Sequence, residues 1–186
     1  NAKTIVVFYV PFDASTTDAN KKGDKVSIAW ARAYIEANHL INGICQELQQ
    51  ELAGLGITAV YQKATHNFDK GTLTAPWSHK SMAYIAGLGS FGVNKMLITS
   101  VGCSGRFGSL VIDVGLNPSP KKDSEYCIYY KSRKCLKCVE ACPTGALKVD
   151  GLDKRLCYMR LLSVGEEYKH MGLVDVCGKC VGVCGN

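Results

Sequence analysis

Eight of the ten cysteines fall in the last 60 residues, in two runs of the same spacing. The first is Cys135-x2-Cys138-x3-Cys142-Pro143 and the second is Cys177-x2-Cys180-x3-Cys184, with Cys127 and Cys157 standing alone upstream of each. Thiolates are soft ligands and suit a cubane iron–sulfur cluster. A C-x2-C loop offers two thiolates on one side, and a following Cys-Pro step turns the next thiolate towards a second cluster. The bacterial two-cluster run has one more cysteine upstream, and here that position is Ser132. Serine is a hard, poor ligand for cubane iron. The nearest upstream thiol is Cys127, and a longer loop can bring it to the same corner. In two-cluster ferredoxins the last cysteine of each half crosses to the partner cluster. The same logic gives one cluster Cys127, Cys135, Cys138 and Cys184, and the other Cys142, Cys157, Cys177 and Cys180. Eight thiols fill two [4Fe–4S] clusters with none left over.

Two other thiol chemistries compete. A structural zinc site could use the Cys135/Cys138 and Cys177/Cys180 knuckles as in a zinc-stabilised interaction module. That leaves four cysteines and Pro143 without a purpose. Disulfides require an oxidising compartment, and the chain has no secretory signal pattern. It also has no run of about 18 apolar residues, which excludes a membrane-spanning helix and points to a cytoplasmic location. The abrupt start at Asn1, without an initiator Met, is expected of a fragment lacking an N-terminal segment. The formal charge of +6 does not by itself indicate nucleic acid, and two clusters of charge −2 would bring it to about +2.

The elements that must hold these thiols are legible in outline. Thr4–Val10 is an unbroken apolar run and reads as a buried strand. Pro11 to Lys25 is polar and turn-rich. A long helix is expected from about Val26 to Leu55, with Leu40, Ile41, Ile44, Leu48 and Leu52 as its apolar stripe and Gly54 and Gly56 as its stop. Cys45 beside that stripe is expected to be a plain core thiol. Ile57–Tyr61 reads as a strand, and Ser78 as the N-cap of a helix over Ser81–Leu88. Met96–Thr99 and Ser109–Val114 read as a hairpin across a Gly-rich loop, Gly102 to Gly108. Residues 117–122 (Asn-Pro-Ser-Pro-Lys-Lys) form the best linker, which places a domain boundary near residue 120.

Ala86-Gly87-Leu88-Gly89-Ser90-Phe91-Gly92-Val93-Asn94-Lys95, the following Gly105–Val111 segment and the cysteine set with its isolated Cys157 resemble the epoxyqueuosine reductase and reductive dehalogenase group of corrinoid iron–sulfur proteins. The resemblance runs from Thr4 to Cys184. It implies an α+β chain: a partial nitroreductase-like α/β domain over 1–120, then a ferredoxin-like two-cluster domain over 121–186. It implies a cobalamin held between the two and fed electrons by the clusters, with Gly87, Gly89, Gly92, Asn94 and His79 beside the cofactor. Relatives carry an acid, thought to donate a proton, where this chain has Leu73. A leucine cannot donate one, so cobalamin and the relatives' own reaction stand as hypotheses.

Gly87-x-Gly89-x-x-Gly92 spells a dinucleotide-binding motif, but a helix precedes it and a strand follows, the reverse of what such a motif needs. Cys103, in the expected hairpin loop, reads by default as a free surface thiol. Lys121, Lys122, Lys131, Arg133, Lys134 and Lys137 form a basic face that offsets cluster charge and suits an acidic donor such as a ferredoxin or flavodoxin. The expected function is an oxidoreductase passing electrons through two clusters to a corrinoid or substrate, the substrate being a small molecule or a tRNA base. The rival reading is a non-catalytic electron carrier.

Overall fold

The computed structural model describes residues 1–64, 68–120 and 124–184. In chain order its elements are β1 (Thr4–Pro11), α1 (Ala14–Lys21), α2 (Ile28–Gly54), β2 (Ala59–Tyr61), α3 (His79–Ile85), β3 (Gly89–Phe91), β4 (Leu97–Thr99), β5 (Gly105–Ile112), α4 (Ile128–Ser132), α5 (Lys137–Glu140), α6 (Lys154–Glu167) and α7 (Lys179–Gly182), with a 3-10 turn at Lys169–Met171. The chain is thus mixed α+β, with its strands, among the described residues, all in the first 112. No helix among the described residues is long and apolar enough to cross a membrane.

The sheet order is β1-β5-β2, all antiparallel, with Thr4 opposite Ile112 and Pro11 opposite Gly105. This corrects the expected hairpin. β4 turns back on β3, pairing Phe91 with Leu97, and β5 instead lies between β1 and β2. The glycines read as a loop are strand residues for a steric reason. A Cβ on Gly108 would sit 2.3 Å from the Phe8 ring, and one on Gly105 would sit 2.4 Å from the Val10 carbonyl oxygen. Glycine there lets the aromatic side chains of β1 lie across the ladder.

α2 starts at Ser27, whose Oγ accepts from Trp30 N at 3.1 Å. It ends in a paired turn, with Gly56 N donating to Ala53 O and Ile57 N to Leu52 O. Gly56 has φ +74, a conformation that favours glycine. The buried face differs from the expected stripe. Trp30, Ala31, Tyr34, Ala37, Ile41 and Cys45 point inwards, whereas Leu40 is 52% exposed. The two aromatic residues in the first two turns claim the inner face, which rotates Leu40 and Leu48 outwards. α1 was hidden in polar sequence. Asp13 caps it by accepting from Thr16 N at 2.8 Å, and its buried residues are Thr16, Thr17 and Asn20, all polar.

The largest apolar cluster joins the N-terminal half to the cysteine-rich half. Val26, Trp30, Ala31, Val93, Ile98 and Cys103 pack with Leu147, Val164, Tyr168, Val174 and Val181. Buried polar clamps reinforce it. Asn20 donates to Cys177 O at 2.9 Å and accepts from Ser27 N at 3.0 Å. Lys179 Nζ donates to Asn20 O and Lys22 O, and Tyr168 OH donates to Val26 O. Gly178, at φ +70, lies against the Trp30 indole so closely that a Cβ would sit 2.2 Å from the ring. Residues 117–120 of the expected linker are exposed coil, and Lys121 and Lys122 lie outside the described residues.

Two predictions follow from these contacts. Asn20→Ala leaves a half-buried carbonyl and a half-buried N–H without their partner, and should lower unfolding free energy by about 1–3 kcal/mol in denaturant titrations. The second concerns His79, whose Nδ1 lies 2.7 Å from Ser109 Oγ of β5. Burial, then the nearby Arg106, hold its pKa below the usual 6.5. The unfolded chain therefore takes up the proton first, and stability should fall as pH drops from about 6.5 towards the folded value. His79→Asn should lose less thermal stability than the parent between about pH 7.5 and 5.5.

Candidate iron–sulfur centre

The first cysteine run is anchored to the small β3–β4 sheet. Ser90 of β3 donates to Glu125 Oε1 at 2.8 Å and accepts from Tyr126 N. The same carboxylate oxygen accepts from Cys127 N at 2.7 Å. Cys127 then opens α4. Ser132 is spent inside that helix, its Oγ donating to Ile128 O at 3.0 Å. Arg133 ends the helix at φ +60 and turns the chain into Cys135 and α5, which carries Cys138. Cys142 Sγ accepts from Leu147 N at 3.4 Å. Cys157 lies in the first turn of α6, and Cys177, Cys180 and Cys184 flank or occupy α7.

The eight thiols border two cavities. One, of about 680 Å³, is lined by Cys127, Cys135, Cys138 and Cys184. Ser132 does not line it. The other, of about 250 Å³, is lined by Cys142, Cys157, Cys177 and Cys180. Among the described residues, no three His, Cys, Asp or Glu side chains converge as a ready site for a single metal ion. The thiols surround space instead of meeting at a point.

Their mutual electrostatics follow the same division except that Cys138 of the first quartet also acts, more weakly, on Cys180. Burial, then Cys184 and Cys127, push the Cys138 thiol up to about 11. Burial, then Cys177, Cys157 and Cys142, push Cys180 up to about 12. Cys157 is raised by burial and then by Cys177 and Cys142. Burial also works against ionisation of Cys142, but the Leu147 N–H and the Thr144 hydroxyl outweigh it and hold that thiol below its ordinary value. Burial and crowding thus work against ionisation of Cys138, Cys157 and Cys180, a cost that positive charge among the thiols would offset.

The cavity bordered by Cys142 continues past the thiols to a wall of Phe12, Trp30, Tyr34, Met96 and Lys80. Lys80 Nζ donates to Lys95 O at 2.9 Å, and burial lowers its pKa. Arg106 also lines this wall, its guanidinium 4.5 Å from the Tyr34 ring centre. Lys80 and Arg106 carried little signal in sequence. One sits at a helix start that reads as solvated, and the other falls in what reads as a Gly-rich loop.

Of the five residues expected beside a cofactor, only Asn94 lines this cavity among the described residues. It is 3% exposed, donates to Cys180 O at 3.3 Å and to Cys103 Sγ at 3.5 Å, and accepts from Met96 N. Gly87 has φ +80 and makes the turn after α3. A Cβ on Gly89 would sit 2.1 Å from Ile98 O, and one on Gly92 would sit 2.8 Å from Ile98 Cδ1. The space their missing side chains leave is filled from within the hairpin. His79 faces Ser109 of the sheet. Cys103 corrects the surface-thiol reading. It is 1% exposed and its thiol is hydrogen-bonded to Cys184. Leu73, at φ +54, belongs to a turn tied to α6 through the Arg155 bond to Gly71 O, and lines neither cavity. Lys131, Arg133, Lys134 and Lys137 are exposed, and Lys134 and Lys137 rim the larger cavity.

No family model matches the chain. It is 37% identical over 82 residues to an epoxyqueuosine reductase of Cyclobacterium marinum, covering 42% of this chain and 24% of that protein. It is 36% identical over 86 residues to an epoxyqueuosine reductase of Pseudomonas aeruginosa, covering 45% of this chain and 22% of that protein. The chain therefore spans about a quarter of the length of the curated relatives it matches. Its fold is similar to the solved epoxyqueuosine reductase of Streptococcus thermophilus, at TM-score 0.51 and 20% identity over 77% of this chain and 37% of that one. A selenomethionine-labelled epoxyqueuosine reductase structure aligns at TM-score 0.54 and 20% identity, over 79% of this chain and 38% of that one. In partial sequence identity and in fold, this chain is similar to epoxyqueuosine reductases.

Proposed function

We propose that the chain is the electron-transfer part of an iron–sulfur oxidoreductase, with two [4Fe–4S] clusters. Cys127, Cys135, Cys138 and Cys184 hold one, and Cys142, Cys157, Cys177 and Cys180 hold the other. The observation that carries this reading is that each quartet lines its own cavity. Four thiolates around one zinc lie roughly 3.8 Å apart, given Zn–S bonds near 2.3 Å. Thiols spread around cavities of about 250 and 680 Å³ suit a larger core. When bound, the clusters supply one-electron transfer at low potential. On this reading residues 1–120 are a partial nitroreductase-like part and 121–186 a ferredoxin-like part.

The chain's own residues then divide the work. The exposed Lys131, Arg133, Lys134 and Lys137 face steers an acidic donor, a ferredoxin or flavodoxin, to the larger cavity. The apolar core around Val93, Ile98 and Cys103 keeps water from the space between the quartets. The wall of Phe12, Tyr34 and Met96 receives the acceptor, a small molecule or a tRNA base, beside the Cys142 quartet. Lys80 and Arg106 supply N–H donors on that wall, and Leu73 lies outside it. Gly89 and Gly92 are packed by their own hairpin and give a corrinoid no cradle, so no step is assigned to cobalamin.

Full-length protein purified without oxygen should be brown and carry about eight irons and eight sulfides per chain. Cys127→Ser should halve the iron and leave one cluster's spectrum intact. Full occupancy in that variant would overturn the ligand assignment, and a colourless zinc-loaded protein would overturn the cluster reading. Reversing charge at Lys134 and Lys137 should slow reduction by an acidic donor roughly tenfold and flatten its salt dependence.

A further inference from the structure

The chain has two tryptophans, and their indole N–H groups are treated differently. Trp77 Nε1 donates to Ser109 Oγ at 3.0 Å. Trp30 is 3% exposed, and its Nε1 is buried with no hydrogen-bond partner among the described residues. A buried indole N–H usually finds an acceptor, because an unmade bond leaves the desolvation cost uncompensated. The Trp30 ring is held firmly. Phe12 meets it edge-on at 5.0 Å, and Gly178 lies against the edge that carries Nε1, where an added Cβ would be 2.4 Å from the nitrogen. Gly178 directly follows Cys177, and Trp30 lines the same cavity as Cys142, Cys157, Cys177 and Cys180. A rigid donor without a protein acceptor therefore stands in the wall of a thiol-lined cavity.

We propose that Trp30 Nε1–H donates a hydrogen bond to a sulfur of the cluster held by Cys142, Cys157, Cys177 and Cys180, and so raises the reduction potential of that cluster alone. This rests on the cluster reading above. Cluster sulfurs carry negative charge and accept hydrogen bonds, and such bonds are one of the factors that set cluster potential. Adding an electron makes the sulfurs more basic. The bond strengthens on reduction and favours the reduced form. Trp30 acts through the cluster and is a positioning and tuning residue.

The test is anaerobic potentiometry, followed by electron paramagnetic resonance, on full-length parent, Trp30→Phe and Trp77→Phe proteins. Trp30→Phe should keep its iron and move one midpoint to more negative potential, leaving the other in place, and Trp77→Phe should move neither. The Cys127→Ser protein, with the second cluster alone, identifies which midpoint moves. An unmoved midpoint, or an equal shift in both, overturns the proposal. If Trp30→Phe loses iron, parent protein labelled with 15N in its indoles decides the matter. A 15N hyperfine coupling to the reduced cluster is expected, and its absence overturns the proposal. A parent protein without about eight irons fails the cluster reading itself, and a parent with full iron but unmoved midpoints fails only the role of Trp30.

Discussion

The C-terminal cysteine loop is held in place from the opposite end of the chain, and the rest of the arrangement depends on that hold. Cys177, Cys180 and Cys184 lie on a four-residue helix and its flanks, too short to be stable alone. Asn20 fixes the Cys177 carbonyl, Lys179 reaches back to Asn20 and Lys22, and Asn94 fixes the Cys180 carbonyl. Gly178 lies against Trp30 where no side chain would fit. Each contact crosses more than 80 residues of sequence. The N-terminal half thus supplies the outer wall of a site whose thiols come from the C-terminal half.

This division has an electrostatic consequence. Burying thiols beside one another raises the cost of ionising them, as the upward shifts of Cys138, Cys157 and Cys180 show. The same cavity wall carries Lys80, largely buried, with cysteines as its acidic neighbours. Positive charge placed among these thiols would offset that cost. Thiols from distant segments converge only in the folded chain, so any binding there is coupled to folding.

The hairpin over Gly89–Thr99 serves a structural purpose that its glycines disguised. A row of glycines next to a proposed cofactor suggests an open approach, yet Ile98 and Asn94 occupy the space at Gly89 and Gly92. What the hairpin delivers is Asn94, positioned between Cys103 and the Cys180 carbonyl, and Ser90, which anchors the approach to Cys127 through Glu125. It is a strut between the two cysteine runs.

The features readable from sequence were those set by neighbours along the chain. The C-x2-C-x3-C runs, the Ser78 cap and the Gly56 stop depend on a few adjacent residues, and local chemistry is enough to read them. The pairing of Cys127 with the first run also came from counting thiols. Other features depended on distant partners and were not legible. β5 lies between β1 and β2 because Gly105 and Gly108 make room for side chains about 100 residues away. The inner face of α2 follows the position of the sheet and cysteine loop, not the densest leucine stripe. Cys103 is buried because β4 folds onto β3 and leaves it against Asn94 and Cys184. Sequence by itself determined which thiols recur at one spacing and where the two helices α2 and α3 lie. Only the tertiary structure decided which surfaces enclose them, because burial and close approach arise between segments that no local spacing connects.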